Sequence, residues 1–408
     1  MMRIVITGMG VLSPVGVGRE NFWEALSIGK SGFREITLFD TSPFNVRIGG
    51  EVDFDPVEFI GKKGLRDLDR STRLICSAAR LAIDDSRLVI DEDNTNAMGV
   101  SIGSTFGSLH SISQFDRVGL IEGPRFVNPS HFPNTVINSP ASQVSIRFKI
   151  KGFNTTISTG FCASLDSVSY GADFIRMNRA KAVLTGGVEE LCEETFMGFY
   201  KLGCLSGSDG SEPICCPYDR RRNGLILSEG AGIVVLEEEG HAIERGAKIL
   251  AVLKGCGSSF DPEADIGFDH NGTGLKEAIG LALKEASLLP EDIDCIISCA
   301  NSTKGLDRME TRALKEVFVD NAFNIPVSAI KSMVGESFSA SGALSLVAAV
   351  GAIQKGFIPP TVNYKEKDPE CDLDYVPNAS RQQEVNTVLV ITSDPYGQNS
   401  AAILGKYE

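Results

Sequence analysis

Residues 152–190 of the chain read GFNTTISTGFCASLDSVSYGADFIRMNRAKAVLTGGVEE. The pattern predicts a strand, a sharp turn at residues 159–162, an amphipathic helix and a second buried strand that runs into Gly186-Gly187. A side chain at such a turn projects from the N-terminus of the helix, where free amides and the positive end of the helix dipole can activate a thiol or hold an oxyanion. The side chain at this turn therefore decides which chemistry the chain can perform.

The composition is that of a globular protein of 408 residues, 42% of them hydrophobic and 23% charged. The N-terminal stretch MMRIVITGMGVLSPVG is predicted to form a strand and not a signal peptide, and the apolar runs are too short or too interrupted to span a membrane. Ten cysteines without CxxC pairs indicate the reduced thiols of a cytoplasmic protein and neither a disulfide framework nor a metal site. We expect no cofactor.

The net charge of −14 argues against nucleic acid as a partner, because phosphate binding needs clustered lysine and arginine. The one dense basic run, Arg220-Arg221-Arg222, is interpreted as a solvated loop.

Buried strands alternate with helices along the chain, which predicts parallel sheets covered on both faces. Strands are predicted at 2–10, 98–103, 233–237, 250–258, 294–299, 387–392 and 401–404, and helices at 19–28, 67–85, 141–147, 274–287, 308–317 and 343–353. These elements form two comparable halves, 1–250 and 251–408, in one compact unit, and an internal duplication would explain their similarity.

Several ordered motifs resemble the beta-ketoacyl-[acyl carrier protein] synthases of the thiolase fold: VITGMGVLSPVG, GPRFVNPSHFPNTVINSPAS, PYDRRRNGLILSEGAG, DRMET, KSMVGE and IPPTVN. The resemblance implies an α/β fold with five αβαβα layers built from two similar halves, and a dimer. It also implies a Cys-His-His triad. The thiolate would accept the acyl chain, and the two imidazoles would stabilise the enolate formed when malonyl thioester loses carbon dioxide.

The resemblance places Phe161 where the family has its nucleophile. That position lies nine residues after the glycine that opens the turn strand, here Gly152, and 28 residues before the glutamate of the next strand, here Glu189. Cys162 lies one residue later, a rotation of about 100° at a helix start. It is interpreted as a small buried residue, and it is the alternative nucleophile if the family spacing is broken.

The two histidine positions of the family are also changed in this chain. The first corresponds to Cys299 and the second to Glu336, and none of the four histidines, His110, His131, His241 and His270, falls at either place. A thiol is a weak hydrogen-bond donor, and an ionised carboxylate would repel a developing enolate. The resemblance therefore implies an inactive homologue of the 3-oxoacyl-[acyl-carrier-protein] synthases, an acyltransferase family.

Other family positions survive in part. Lys331 and Glu310 are expected to form an ion pair, and Thr303 keeps one of two pantetheine-contacting threonines, the other being Asn301. Tyr396 takes the place of a gating phenylalanine in a loop that has lost two glycines, which should stiffen it. Thr303, Lys331 and Tyr396 are the candidate substrate-binding residues.

A ketosynthase-like fold without its triad resembles a chain length factor, the subunit that pairs with an active ketosynthase and shapes the acyl tunnel. We expect a heterodimer whose partner meets the acyl carrier protein, with Phe106, Phe115 and Phe132 as candidate tunnel residues. Two alternatives remain open. One is an active condensing enzyme that uses Cys162, and the other is a homodimeric acyl-binding or scaffold protein.

Overall fold

The computed structural model describes residues 2–262, 268 and 271–408. Within these residues the strands are β1 (Ile4–Ser13), β2 (Gly16–Val17), β3 (Arg34–Glu35), β4 (Ile48–Gly49), β5 (Met98–Gly103), β6 (Asn154–Ile157), β7 (Ala182–Glu189), β8 (Gly230–Glu238), β9 (Ala251–Phe260), β10 (Cys295–Ile297), β11 (Val327–Ser328), β12 (Phe357–Ile358), β13 (Arg381–Gln382), β14 (Thr387–Ser393) and β15 (Gln398–Gly405).

The helices of the same residues are α1 (Arg19–Ser27), α2 (Pro56–Ile60), α3 (Arg70–Ser86), α4 (Leu109–Ile121), α5 (Ser139–Phe148), α6 (Ala163–Arg176), α7 (Glu193–Lys201), α8 (Glu239–Glu244), α9 (Thr273–Ala286), α10 (Lys304–Phe318), α11 (Lys331–Val334) and α12 (Ser341–Lys355).

One large sheet runs in the order β11-β10-β14-β15-β9-β1-β8-β7-β5-β6, with β2 paired beside β1. Leaving β2 aside, one group of five strands in this sheet is β1, β5, β6, β7 and β8, and the other is β9, β10, β11, β14 and β15. When the strands of each group are numbered in chain order, both groups run from the edge of the sheet inward as third, second, fourth, fifth and first. The groups meet where β1 pairs with β9. This repeated order supports the predicted duplication, whose division at residues 250 and 251 stays a prediction.

The sheet is mixed, so the prediction of purely parallel sheets was wrong. Parallel pairing is confined to β6-β5-β7 and β11-β10-β14, while β8, β1, β9 and β15 pair in antiparallel fashion. Residues 394–397 alone connect β14 to β15. A connection this short cannot hold the crossover that parallel neighbours need, so β15 runs back along β14.

Alternating side chains divide the fold into layers. On β8, Val234 faces a core between the two halves, whereas Val235 faces an outer core with α3 and α5. On β14, Val388 faces the same inner core, whereas Leu389 faces a second outer core with α9 and α10. Helices therefore cover both sides of each half, and the five-layered αβαβα prediction is confirmed.

Helices α6 and α12 form the middle layer between the two halves. The segment Phe338–Lys355, which includes α12, has the length and composition of a membrane-spanning helix, but 89% of it is buried inside the protein. The first turns of α6 and α12 are in close contact: a Cβ on Gly342 would lie 2.6 Å from Oγ of Ser164 and 3.0 Å from Cγ of Leu165, so a side chain there would force these neighbours to move. The apolar character of α12 therefore reflects its place in the core.

Capping explains where some helices begin. The helix predicted at 67–85 begins at Arg70, because the Asp69 side chain accepts a hydrogen bond from the amide of Thr72 at 2.6 Å and so acts as its N-cap. The helix predicted at 308–317 begins earlier, at Lys304.

The basic run at residues 220–222 is only partly solvated, which corrects the interpretation as a solvated loop. Arg222 is buried, and its Nη1 atom donates to Asp368 at 2.6 Å while its Nε atom lies 3.5 Å from Asp307. Arg221 pairs with Asp219 at 2.8 Å. Two of the three arginines therefore serve internal ion pairs.

Glu237 is a buried carboxylate on β8 with three side-chain donors. Arg245 donates from Nε at 2.8 Å, His241 contacts the carboxylate at 2.7 Å through Nδ1, and the Thr7 hydroxyl also donates. Burial raises the pKa of Glu237, but these hydrogen bonds outweigh burial and lower the pKa from 4.5 to about 2.

We expect Glu237→Gln to reduce the free energy of unfolding by about 3 kcal/mol at pH 7, since the ionised carboxylate is favoured in the folded chain. Because the folded pKa lies below the unfolded one, this contribution is present above pH 4.5 and is lost as the pH falls through about 2. Urea unfolding of both proteins at several pH values measures it.

The matched control is Glu239→Gln, which removes the carboxylate partner of the half-exposed Arg3 at 2.8 Å. A solvent-exposed pair contributes about 0–1 kcal/mol. A difference between wild type and Glu237→Gln that stays constant with pH would contradict the assignment.

Candidate functional site

The turn before α6 places Phe161 and Cys162 on different sides. Residues Gly160–Cys162 form one turn of 3-10 helix, and Gly160 has a φ of +59°. A Cβ at Gly160 would also lie 2.0 Å from Oδ2 of Asp394, so both the backbone and the space demand glycine there.

Phe161 is 5% exposed and packs among aromatic rings. Its ring centroid lies 5.0 Å from that of Phe338, which in turn contacts Phe106 and Phe199 at 5.1 Å each. These four residues, Phe106, Phe161, Phe199 and Phe338, are called the aromatic plug below. An apolar ring thus fills the space in front of the turn.

Cys162 is fully buried and faces the strands of the other half. Its Sγ atom donates to the backbone carbonyl of Gln398 on β15 at 3.3 Å. Burial, together with the nearby Asp166 carboxylate, raises the pKa of the Cys162 thiol well above its ordinary value. The thiol is therefore held protonated.

The histidines of the described residues have partners elsewhere. His110 contacts Glu194 at 3.1 Å, His241 contacts Glu237, and His131 lies 3.4 Å from Asn128. His270 lies outside the described residues. Among the residues that the structure describes, no histidine therefore lies beside Cys162.

Cys299 donates its thiol hydrogen to Oε2 of Glu310 at 3.1 Å, and both side chains are buried. Glu310 also accepts hydrogen bonds from the hydroxyls of Tyr218 and Ser298, at 2.8 and 3.1 Å. Burial raises the pKa of Glu310, and it raises the pKa of Cys299 well above the ordinary thiol value. The thiol of Cys299 is consequently a structural donor.

Glu336 is the best-bonded carboxylate of the site. Its Oε2 atom accepts from Nζ of Lys331 at 2.8 Å and from Nδ2 of Asn301 at 2.9 Å. Its Oε1 atom accepts from the Phe338 amide at 3.0 Å and from the Ser341 hydroxyl at 2.9 Å. The carboxylate therefore has two contacts on each oxygen.

The expected Lys331–Glu310 ion pair was wrong, because Lys331 pairs with Glu336. Burial alone would lower the pKa of Lys331, but the carboxylate of Glu336 and the more distant Glu310 hold that pKa above its usual value. Glu336 brings a carboxylate to the ammonium group of Lys331, and Glu310 instead accepts hydrogen bonds from neutral donors.

The remaining candidate binding residues are positioned as follows. Thr303 is half-buried and donates its hydroxyl to Oδ1 of Asn301 at 2.7 Å. Tyr396 is 68% exposed, at the turn between β14 and β15, and its amide donates to Oδ1 of Asp394 at 2.8 Å. The Tyr396 ring thus lies mostly in solvent.

Sequence reasoning missed Asp394. Its Oδ2 atom accepts a hydrogen bond from the backbone amide of Phe161 at 3.0 Å, and burial raises its pKa. The signal was present in the sequence, because an aspartate directly before Pro395-Tyr396-Gly397 is a frequent turn former whose carboxylate binds nearby amides.

The structure brings the three triad positions together. The ring of Phe161 contacts that of Phe338, and the Phe338 amide donates to Glu336. Lys331, which pairs with Glu336, also lies within electrostatic reach of Cys299. The group thus contains a benzyl ring, a protonated thiol and a carboxylate. None of the three side chains is a thiolate or a cationic hydrogen-bond donor.

A separate cavity of about 400 Å³ lies beside α4. It is lined in part by Phe115, Val118, Phe126, His110 and His131. Of the candidate tunnel residues, Phe115 lies in this wall and its ring is 6.0 Å from that of the more exposed Phe132, whereas Phe106 belongs to the aromatic plug.

Two family models match the chain, "Beta-ketoacyl synthase, N-terminal domain" over residues 1–242 and "Beta-ketoacyl synthase, C-terminal domain" over residues 250–365. The 3-oxoacyl-[acyl-carrier-protein] synthase 2 of Coxiella burnetii is 37% identical over 407 residues, covering 99% of this chain and 98% of that protein. The tetracenomycin polyketide synthase ketoacyl synthase alpha subunit of Streptomyces glaucescens is 37% identical over 414 residues, covering 99% and 97%.

Among solved structures, the ishigamide ketosynthase/chain length factor superimposes with a TM-score of 0.94 at 35% identity over 100% of both chains. A type II polyketide ketosynthase in complex with its acyl-carrier protein superimposes with a TM-score of 0.92 at 29% identity, again over 100% of both chains. With the five-layered fold and the matched motifs, these likenesses show that the chain belongs to the beta-ketoacyl synthase family of fatty acid and type II polyketide synthesis.

Proposed function

We propose that this chain is a non-catalytic, ketosynthase-like subunit of the chain length factor type. It pairs with an active ketosynthase in the cytoplasm and shapes the tunnel that holds the growing acyl chain. The observation that carries the proposal is Phe161, whose ring fills the turn that a nucleophile would need. One solved relative is itself described as a ketosynthase/chain length factor.

The chemistry of the site supports a loss of catalysis. Condensation needs a thiolate and two hydrogen-bond donors that strengthen as negative charge develops. At the corresponding places this chain has a ring, a thiol already bonded to Glu310, and the carboxylate of Glu336. A carboxylate facing a developing enolate would raise the barrier by like-charge repulsion.

The surface around α4 suits a partner subunit. Strand β6 lies at the edge of the large sheet, so its outer backbone groups are available for pairing. Large apolar side chains nearby in the sequence are exposed: Leu120, Ile121, Phe126, Phe132, Val136, Ile137 and Ile146. Exposed apolar residues concentrated in one region of a chain are typical of an interface.

The partner, and not this chain, is proposed to receive the acyl carrier protein. Carrier proteins are usually acidic, and this chain has a net charge of −14, so long-range attraction between them is weak.

The first alternative, an active enzyme that uses Cys162, requires that thiol to reach an acyl thioester. Its burial and its bond to the Gln398 carbonyl oppose that role. The second alternative, a homodimeric scaffold, would use the same apolar surface. The oligomer formed in the presence of a ketosynthase distinguishes it from the proposal.

We expect co-expression with the ketosynthase of the same gene neighbourhood to yield a complex of one copy of each chain, because the exposed surface around α4 becomes covered. Native mass spectrometry measures the composition. Leu120→Asp, on the most exposed apolar position of α4, should reduce the yield of the complex at least tenfold while the chain stays folded. Homodimers alone in this experiment would favour the scaffold.

We expect no added mass at Cys162 when the complex is incubated with an acyl-carrier thioester or with cerulenin, because its thiol is buried and protonated. Peptide mass mapping makes the measurement, and the active-site cysteine of the partner ketosynthase is the internal positive control. Labelling at Cys162 that disappears in Cys162→Ala would establish the active-enzyme alternative.

We expect Phe115→Ala to shift the products of the reconstituted pair toward longer chains by one or more two-carbon units, because removing the ring enlarges the cavity of about 400 Å³ beside α4. Product masses provide the measurement. The control is Ile112→Ala, on the same helix but outside the cavity wall and not among the exposed apolar residues of the proposed interface. An unchanged product distribution with Phe115→Ala would remove this cavity from the tunnel.

A further inference from the structure

Asp394 is a buried carboxylate aimed at the start of the central helix. Its two oxygens accept hydrogen bonds from the amides of Phe161 at 3.0 Å and Tyr396 at 2.8 Å. The short turn that carries it is closed by the Asp394 amide, which donates to the Gln398 carbonyl at 2.8 Å. The carboxylate is thus held in place from both sides.

No lysine or arginine of the described part of the chain forms an ion pair with Asp394, and the nearby Glu336 carboxylate has the same sign of charge. An unpaired charge in the interior is costly unless hydrogen bonds and dipoles compensate. Here the compensation comes from two backbone amides and from the N-terminal end of α6, whose dipole favours negative charge.

The amide of Phe161 lies in the turn that precedes α6 and donates to a side chain, so it is a group at this turn that could hold an oxyanion. Asp394 already occupies it. The fit is close, since a Cβ at Gly160 would collide with the carboxylate at 2.0 Å. An oxyanion arriving from a thioester would meet a resident anion and a filled hydrogen-bond donor.

We propose that the Asp394 carboxylate prevents acyl transfer at this site independently of Phe161, because it occupies the amide that would stabilise an oxyanion. The proposal rests on the non-catalytic function proposed above. It deepens that function by naming a second block, contributed by the C-terminal half of the chain. Restoring a thiol at position 161 would then be insufficient, because the thiol would face a carboxylate and would lack its oxyanion donor.

The principal test introduces a thiol with Phe161→Cys and follows its alkylation by iodoacetamide against pH, with peptide mapping to separate position 161 from the ten native cysteines. The carboxylate beside the new thiol should place the pH midpoint above the ordinary thiol value of about 8.5. Adding Asp394→Asn, which removes the charge and keeps the shape, should lower the midpoint by about one pH unit or more.

The ionisable groups that surround the turn are Asp394, Asp166 on α6, Glu336 after α11 and the native Cys162. The matched control is therefore Phe161→Cys with Asp166→Asn. Asp166 binds Thr159 and Ser400 and does not touch the amide of Phe161. Equal midpoints with and without Asp394→Asn, or a larger shift from Asp166→Asn, would overturn the proposal.

A second measurement asks whether the site binds anions once Asp394 is removed. Asp394→Ala leaves the amides of Phe161 and Tyr396 without an acceptor, so the melting temperature of this variant should be lower than that of wild type. Formate should raise the melting temperature of the variant more than chloride does at equal ionic strength. Wild type and Asp166→Ala should show no such preference. A formate effect no larger in Asp394→Ala than in these two proteins would contradict an anion site.

Both measurements use the full-length chain, with its partner where the two co-purify. The thiol profile concerns one turn of this chain, and heterodimer formation concerns the surface around α4. A thiol profile that does not respond to Asp394→Asn would contradict the role of Asp394, and the absence of a heterodimer would contradict the proposed pairing. The two outcomes are therefore separate results.

Discussion

The contact between the first turns of α6 and α12 is the constraint on which the rest of the structure depends. These two helices form the layer shared by both halves, and they meet where Gly342 packs closely against Ser164. The segments that lead into the helices are consequently forced together. One brings Phe161 and the other brings Phe338 and Glu336, so the site exists because the two helices begin at the same place.

Hydrogen bonding explains how a buried region can hold so many carboxylates. Glu336 is compensated by Lys331 and three neutral donors, whereas the donors to Glu310 from the described residues are two hydroxyls and a thiol. Removing one partner from such a group usually costs more than the group contributes, because the remaining charge stays buried. The side chains of Cys299, Glu310 and Glu336 are thus integrated into the hydrogen bonding of the core.

Much of the fold could be predicted from the sequence, for physical reasons. Strand Met98–Gly103 was predicted with its observed ends, because a short apolar run between turn residues has few other interpretations. The antiparallel pairing of β14 with β15 follows from their short connection, but the direction of β1 against β8 and β9 could not be predicted, because it depends on how the chain returns between layers and leaves no local pattern. Lys331 illustrates the same limit at the site: its partner is Glu336, five residues away, and not the more distant Glu310.

The sequence by itself determined the family and the layered architecture, because ordered motifs and their spacing are local properties of the chain. The assignment of Phe161, Cys299 and Glu336 to the family's triad positions stays a prediction from the same spacing. Only the tertiary structure decided that Asp394, more than two hundred residues from Phe161, binds its amide, and that Cys162 faces a different strand from the neighbouring ring. The reason is geometric. Which distant groups meet depends on how the two halves pack across α6 and α12, and that packing joins positions that no stretch of sequence contains together.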